Sequence, residues 1–262
     1  MHFLVVGRGW TGRKVFEKLV DTGNVVTLAP HDEALDVLAN GTYFDWVVNC
    51  AGVTGTPNVD ACELDKPNTL YGNAVYPVKL YEAADKNGCR MSHFSSGCIY
   101  SGDITDVNAA PNFFGSTYSV AKGVSDVLLG DKAQVYRIRM PFTGNAEPKN
   151  YLYKVYNYAK NGKLIDAGQN SLTDLDEAID VAIDLMLHDE DNGYYNLVND
   201  GSVNMHELVE IMGINPQWFT PEEFRASTAA GRSTCTIPAY HAMSDVKVAL
   251  ARAVASMKAQ LY

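Results

Sequence analysis

The sequence predicts an α/β protein, a doubly wound parallel sheet with a smaller C-terminal lobe. Short β-rich runs alternate with helix-length segments through the first half, as a parallel sheet with crossover helices requires. The first long helix-like segments each run up to a glycine, Gly23, Gly88 or Gly130, placed where a helix C-cap wants one. A glycine-rich turn, Gly7-Arg8-Gly9-Trp10-Thr11-Gly12, leads directly from the first strand into the first helix.

The expected strands are 3–6, 25–29, 45–50, 90–94 and 134–139, and the helices between them 11–20, 69–86 and 118–129. Beyond Arg139 the rhythm loosens. Met140-Pro141 and Glu147-Pro148 mark loops, 151–160 and 174–187 read as helices, and 194–198 as a further strand. Asn204-Met205-His206-Glu207 has the spacing of a capping box and starts another helix. These elements imply a Rossmann-like dinucleotide-binding domain over 1–140 and a smaller substrate-binding lobe over 141–262, interleaved with the first.

Composition narrows the functions. With 262 residues, 47% of them hydrophobic, the chain can bury a large core. A formal charge of -10 argues against nucleic-acid or anionic-membrane partners, which need clustered Lys and Arg. Five cysteines without a CxxC pair indicate neither a disulfide framework nor a zinc site. No apolar run approaches the ~20 residues of a membrane span. The first strand begins almost at the initiator, so a cytoplasmic location is expected. The acidic series Asp174, Asp176, Glu177, Asp180 and Asp184 reads as a solvated helix face near a helix N-terminus, and no metal is assigned.

In the glycine turn, Gly7 permits the tight bend, Gly9 lets backbone approach a pyrophosphate, and Gly12 allows close helix-to-strand packing, while the helix N-terminus faces the phosphates. An acid that would hold the ribose hydroxyl of NAD is missing from the end of the second strand, Thr27-Leu28-Ala29-Pro30. Arg8 would instead meet a 2′-phosphate. NADP(H) is therefore favoured, while nearby Asp32 leaves NAD(H) open. Asn49, Ala51 and Gly52, at the end of the third strand, are expected beside the adenine or its ribose.

Two Tyr-x-x-x-Lys pairs occur, Tyr118 with Lys122 and Tyr156 with Lys160; this spacing stacks both side chains on one helix face. An ammonium near a phenol favours the phenolate and brings its proton within reach of general acid/base work. The fourth strand runs into Ser95 and Ser96 at the carboxyl edge of the sheet, where ligands bind in such folds. Ser96, Tyr118 and Lys122 can converge on one carbonyl. The later pair reads as packing on an amphipathic helix, and His93 as a core histidine.

The glycine turn, Asn49-Cys50-Ala51-Gly52, Ser96, and Tyr118 with Lys122 together resemble the extended short-chain dehydrogenase/reductases. Five further segments narrow the resemblance to the nucleotide-4-keto-6-deoxyhexose reductases and bifunctional 3,5-epimerase/4-reductases of rhamnose synthesis. They are 51–60, Ser96-Gly97-Cys98-Ile99-Tyr100, Arg137-Ile138-Arg139-Met140-Pro141, Asn150-Tyr151-Leu152-Tyr153-Lys154 and Asn170-Ser171-Leu172-Thr173. The glycine turn is one residue shorter than that family's usual form, serine replaces the commoner threonine at 96, and the tail beyond Arg232 departs from the pattern, which leaves the nucleotide open.

The resemblance implies hydride transfer to C4 of a keto sugar, with Tyr118 as proton donor, Ser96 bonding the same oxygen and Lys122 holding the nicotinamide ribose and depressing the tyrosine's pKa. It implies Cys98 and Lys154 as the acid/base pair inverting C3 and C5, whose protons are acidic because each lies α to the ketone. It also places Met140 at the cofactor and Asn73, Lys149, Asn150 and Arg232 at the substrate, Asn73 bracing backbone and the two cations meeting the diphosphate. The expected partner is a nucleotide-diphospho-sugar, with a homodimer as the only protein partner. The alternatives are a 4-reductase alone and a non-catalytic dinucleotide-binding regulatory subunit.

Overall fold

Six parallel strands form the central sheet: β1 (His2–Val6), β2 (Val25–Ala29), β3 (Trp46–Asn49), β4 (Arg90–Ser96), β5 (Gln134–Ile138) and β6 (Gly193–Asn196), in the order β6-β5-β4-β3-β1-β2. The structure, a computed structural model, describes residues 1–261. The chain winds outward from β1 to β2, then returns to place β3 on the other side of β1. That reversal opens a crevice at the carboxyl ends of β1 and β3, where ligands bind in doubly wound sheets.

Alternation along β1 shows how the two faces are covered. Phe3 and Val5 pack with Val15 and Leu19 of α1 (Trp10–Asp21), whereas Leu4 and Val6 pack with Leu38 of α2 (Ala34–Ala39) and Leu80 and Ala84 of α3 (Tyr76–Lys86). Helix α4 (Thr117–Leu129) connects β4 to β5. The second half of the chain divides its elements. Helix α6 (Leu175–Leu187) covers the Phe3/Val5 face, and β6 extends the sheet beside β5. By contrast, α5 (Tyr151–Asn161), α7 (Met205–Met212) and α9 (Val246–Leu261) build a separate apolar cluster through Leu152, Leu208 and Leu250. A short helix, α8 (Pro221–Ser227), lies between α7 and α9.

Differences from the expected elements have local causes. Strand β4 runs on to Ser96, pairing Ser95 with Arg137 and Ser96 with Ile138, so both hydroxyls sit inside the sheet edge. The helix expected over 69–86 instead begins as Lys66–Leu70, widens into a π turn at Tyr71–Val75 and continues as α3. The capping box at Asn204 and Glu207 forms as the spacing predicts. An equivalent box at Thr220 and Glu223 starts α8 and went unread in the sequence.

Asp176, Asp180 and Asp184 on α6 are solvent-exposed as expected, whereas Asp174 and Glu177 are withdrawn from solvent. Asp176 and Asp180 pair with Lys14 and Lys18 of α1 at 2.8 and 2.6 Å. Asp174 is buried, caps the helix and shares Arg252 with Glu177. Those contacts tie α6 to α1 and α9. Among the described residues no cluster is arranged to hold a metal ion, and no helix is long and apolar enough to cross a membrane.

Gly23 and Gly88 adopt the left-handed conformation expected after a helix, but Gly130 has φ -58. Close approach, not conformation, requires glycine there, since a Cβ would fall 2.0 Å from the Tyr194 hydroxyl. That ring is itself held by the Arg137 guanidinium 3.8 Å away. Gly130→Ala is expected to destabilise the protein by about 1–3 kcal/mol in urea unfolding. The same substitution is expected to cost less in a Tyr194→Ala background, where the clashing ring is gone.

Candidate active site

The glycine turn sits at the crevice because its backbone is packed against the end of β3. Gly7 has φ +105, and a Cβ on it would lie 2.8 Å from the Ala51 nitrogen, while a Cβ on Gly12 would lie 1.9 Å from the Gly7 carbonyl oxygen. Gly9, the N-cap of α1, differs in that a Cβ there would meet nothing within 4 Å. Open space thus faces the first amides of α1, whose first turn carries no acid. Trp10 and Thr11 begin that turn half-buried, and Arg8 projects into solvent while its carbonyl accepts from Arg13 Nε at 2.9 Å. These features fit a diphosphate-bearing dinucleotide.

Asn49 is fully buried. Its Oδ1 accepts from the Ala51 nitrogen at 3.0 Å, and its amide nitrogen lies 3.1 Å from His93 Nδ1, so it shapes the Ala51-Gly52 turn from below. Burial, and then the Lys122 charge, hold His93 well below the usual imidazole range, as a neutral core residue. Asn73, in the π turn, accepts from the Val53 nitrogen at 3.1 Å and donates to the carbonyls of Val53 at 2.8 Å and Thr69 at 3.1 Å. All of its amide's bonds brace backbone.

Helix α4 is anchored at its start. The Ser116 hydroxyl accepts from the Ser119 nitrogen at 3.1 Å, and the Glu63 carboxylate accepts from the Thr117 nitrogen and hydroxyl at 2.6 and 2.8 Å. An anion at a helix N-terminus is favourable, and here it fixes the turn carrying Tyr118. Lys122, one turn later, is buried and donates to the Phe94 carbonyl at 3.2 Å, with its ammonium close to Gly52 and Asn73. Burial pulls its pKa down to about 8, against the raising effect of Asp126.

The tyrosine does not behave as its spacing from Lys122 predicts. Burial raises the Tyr118 pKa, Cys98 raises it further, and a hydrogen bond with the Ser96 side chain opposes them; Lys122 is not among these influences. The ammonium is engaged with Phe94 on the side of Gly52, so the phenol retains its proton firmly. Ser96 both bonds this phenol and caps the turn Gly97–Ile99, accepting from the Cys98 nitrogen at 3.1 Å.

A cavity of about 580 Å³ opens beside this cluster, lined in part by Cys98, Tyr118, Met140, Tyr151, Lys154 and Arg232. Cys98, Tyr118 and Lys154 are therefore brought together. Ser96 and Lys122 are buried behind Tyr118. Desolvation, followed by repulsion from Lys149, lowers the pKa of Lys154. Lys149 itself is exposed and lies outside the lining. Asn150 is buried as the N-cap of α5, donating to the carbonyls of Thr143 and Asn145 at 2.8 and 2.6 Å, so it positions Lys154's helix. Arg232 is held by Asp60 at 2.7 Å, which also accepts from the nitrogens of Ala229 and Ala230. The local positive charge expected from Arg232 is thereby matched already. Tyr156 packs on the second apolar cluster and Lys160 is exposed, in keeping with a packing role for the later pair.

Glu63, Asp60 and Tyr151 went unread as contributors to this site. Asp60 and Tyr151 lie inside segments that carry the resemblance, but Glu63 acts across a long stretch of chain without a local signature. Lys122 offers a measurable consequence. Its folded value near 8 lies below the ordinary 10.5, so the unfolded chain binds more protons between those values and this group's contribution to stability rises with pH across that window. Without cofactor, Lys122→Met is expected to be more stable than wild type by about 1–3 kcal/mol at pH 7 in urea unfolding. The gap is expected to narrow as pH rises from 8 toward 10.

The sequence profile of the NAD dependent epimerase/dehydratase family matches residues 4–143. A trifunctional UDP-glucose 4,6-dehydratase/UDP-4-keto-6-deoxy-D-glucose 3,5-epimerase/UDP-4-keto-L-rhamnose-reductase of Arabidopsis thaliana is 35% identical over 205 residues, 71% of this chain but only 30% of that protein. A bifunctional dTDP-4-dehydrorhamnose 3,5-epimerase/dTDP-4-dehydrorhamnose reductase of the same plant is 33% identical over 71% of this chain and 66% of its own length. The crystal structure of a UDP-rhamnose synthase from Acanthamoeba polyphaga mimivirus is similar over 98% of this chain and 99% of that one, with TM-score 0.88 and 26% identity. The family match spans more than half of the chain, including the glycine turn and the Tyr118 helix, and the chain accordingly belongs to the NAD dependent epimerase/dehydratase family.

Proposed function

We propose that this protein is an NADPH-dependent 3,5-epimerase/4-reductase that converts UDP- or dTDP-4-keto-6-deoxy-D-glucose to the L-rhamnose nucleotide. One observation carries the reading: a single cavity is lined by Tyr118, suited to reduction, and by Cys98 and Lys154, suited to inversion. The rhamnose-synthesising relatives support the substrate class.

The Gly7–Gly12 turn, Ala51-Gly52, Lys122 and Met140 would hold the dinucleotide, which when bound supplies the hydride for C4. Arg8, exposed in the turn, and the absence of an acid at the end of β2 favour the 2′-phosphate form. Tyr118 keeps its proton until an alkoxide develops at C4 and then gives it up; Ser96 bonds the phenolate left behind. For inversion, Cys98 removes the proton at C3 or C5 from one face and Lys154 returns one from the other. Partial desolvation, which weakens the hold of Lys154 on its proton, suits that donation. The first 140 residues with α6 and β6 serve the dinucleotide, and the remaining elements serve the sugar nucleotide. Arg232 in the lining and Lys149, close enough to act on Lys154, are the cations we assign to the diphosphate.

Incubation with each 4-keto-6-deoxyglucose nucleotide and NADPH in D2O, followed by NMR of the product, tests the proposal. The expected product is the L-rhamnose nucleotide with deuterium at C3 and C5. Tyr118→Phe is expected to slow NADPH oxidation about 10²–10⁴-fold while deuterium still enters. Cys98→Ala or Lys154→Ala is expected to stop deuterium entry. If both variants exchange at the wild-type rate, the protein is a 4-reductase alone; tight NADPH binding without turnover of either nucleotide would indicate a regulatory subunit.

A further inference from the structure

Two arginines two residues apart, Arg137 on β5 and Arg139 just past its end, have opposite electrostatic situations. Arg137 is buried and paired with the buried Asp126 at 2.6 Å. Arg139 is also fully buried, at 0% exposure, yet among the described residues no carboxylate pairs with it. Its Nη1 donates to the Ser233 hydroxyl at 3.0 Å, the Gly97 carbonyl at 3.3 Å and the Cys98 sulfur at 3.4 Å. Its Nη2 donates to the Ser233 carbonyl at 2.8 Å and the Asn170 Oδ1 at 2.5 Å, while Nε has no partner. A guanidinium held among neutral oxygens, with one donor unsatisfied, is costly. The Cys98 sulfur is the one partner of this set that can take up a negative charge.

The other titratable groups facing the guanidinium are poorer counter-ions. Cys235 is buried, its pKa pushed up by desolvation, and its thiol donates to the Gly97 carbonyl at 3.4 Å. Burial pushes Tyr151 up to about 12 against the lowering effect of Arg139, and Tyr118 is raised as described. Cys98 is partly exposed and lines the cavity, with Arg139 behind it and outside the lining.

We propose that Arg139 is a positioning residue: its guanidinium, buried without a carboxylate, donates to the Cys98 sulfur, aims it into the cavity and serves as counter-ion when that sulfur acts as the proton acceptor. This rests on the reading of Cys98 as the base for inversion. In that step the thiolate electron pair takes the proton α to the ketone, the C–H electrons move into the enolate with the charge on the C4 oxygen, and Lys154 protonates the same carbon from the opposite face. Solvent then returns a proton to Lys154 and removes the one on sulfur. Arg139 touches neither sugar nor dinucleotide and acts only through the sulfur.

The test is the rate of iodoacetamide labelling of Cys98 at pH 7, read on its peptide by mass spectrometry. A thiolate is the nucleophile, so Arg139→Gln, which keeps hydrogen bonding but loses charge, is expected to slow labelling about tenfold, and Arg139→Lys to recover most of the rate. Unchanged labelling in a folded Arg139→Gln protein overturns the proposal. If that variant does not fold, the wild type and Lys154→Ala serve. In both, the rate ratio of anionic iodoacetate to neutral iodoacetamide at Cys98 is expected to exceed that of glutathione about fivefold or more, as a neighbouring cation demands. A ratio equal to that of glutathione overturns the proposal. Labelling that depends on Arg139 supports the coupling even where Cys98→Ala leaves deuterium entry at C3 and C5 intact; that last result defeats the epimerase reading instead.

Discussion

The backbone contact between the first turn and the end of β3 sets the rest of the site. Gly7 lies so close to the Ala51 nitrogen that no side chain fits between them, and Gly12 lies closer still to Gly7. That contact closes the floor of the crevice and leaves only the Gly9 side open. It also fixes where Gly52 emerges, and with it Val53, Asn73 and the Lys122 ammonium. The Tyr118 helix inherits its position from this chain of contacts and from the Glu63 carboxylate at its start.

Charge is distributed unusually for a protein with a formal charge of -10. Many of its acids enter exposed or half-buried pairs, such as those joining α6 to α1 and α9. The cations near the chemistry are instead stripped of water: Lys122 faces a carbonyl, Arg139 faces neutral groups, and Lys154 is half-desolvated. Water would weaken each of these charges by screening, so their burial makes a few positive groups count in an acidic protein.

Much of this was legible in the sequence because it depends on local spacing. Alternation and glycine placement locate the strands and the helices at 11–20 and 118–129 within a residue or two, and the Asn204 box forms as read. The cluster of Ser96, Cys98, Tyr118 and Lys154 was legible through motifs that fix residues at the ends of elements. What stayed hidden depends on partners far apart in the chain. Asp60 neutralises Arg232 across the fold, Asn150 spends its side chain on a helix cap and on the Thr143 carbonyl, and Lys122 donates to the Phe94 carbonyl. Four-residue spacing places two side chains on one face of a helix but does not say which neighbour each will choose. Gly130 shows the same limit, since its reason for being glycine lies in Tyr194, on a strand still to come.

The π turn at Tyr71–Val75 has a bearing on the sheet as well as on Asn73. A turn wound with one extra residue offsets everything after it by one helical step, about 100°. Tyr76, Leu80 and Ala84, which follow that offset, pack on the Leu4/Val6 face. The bulge is therefore a phase correction. It lets one continuous helical run serve two clients, bracing the Val53 loop with its first half and closing the core with its second.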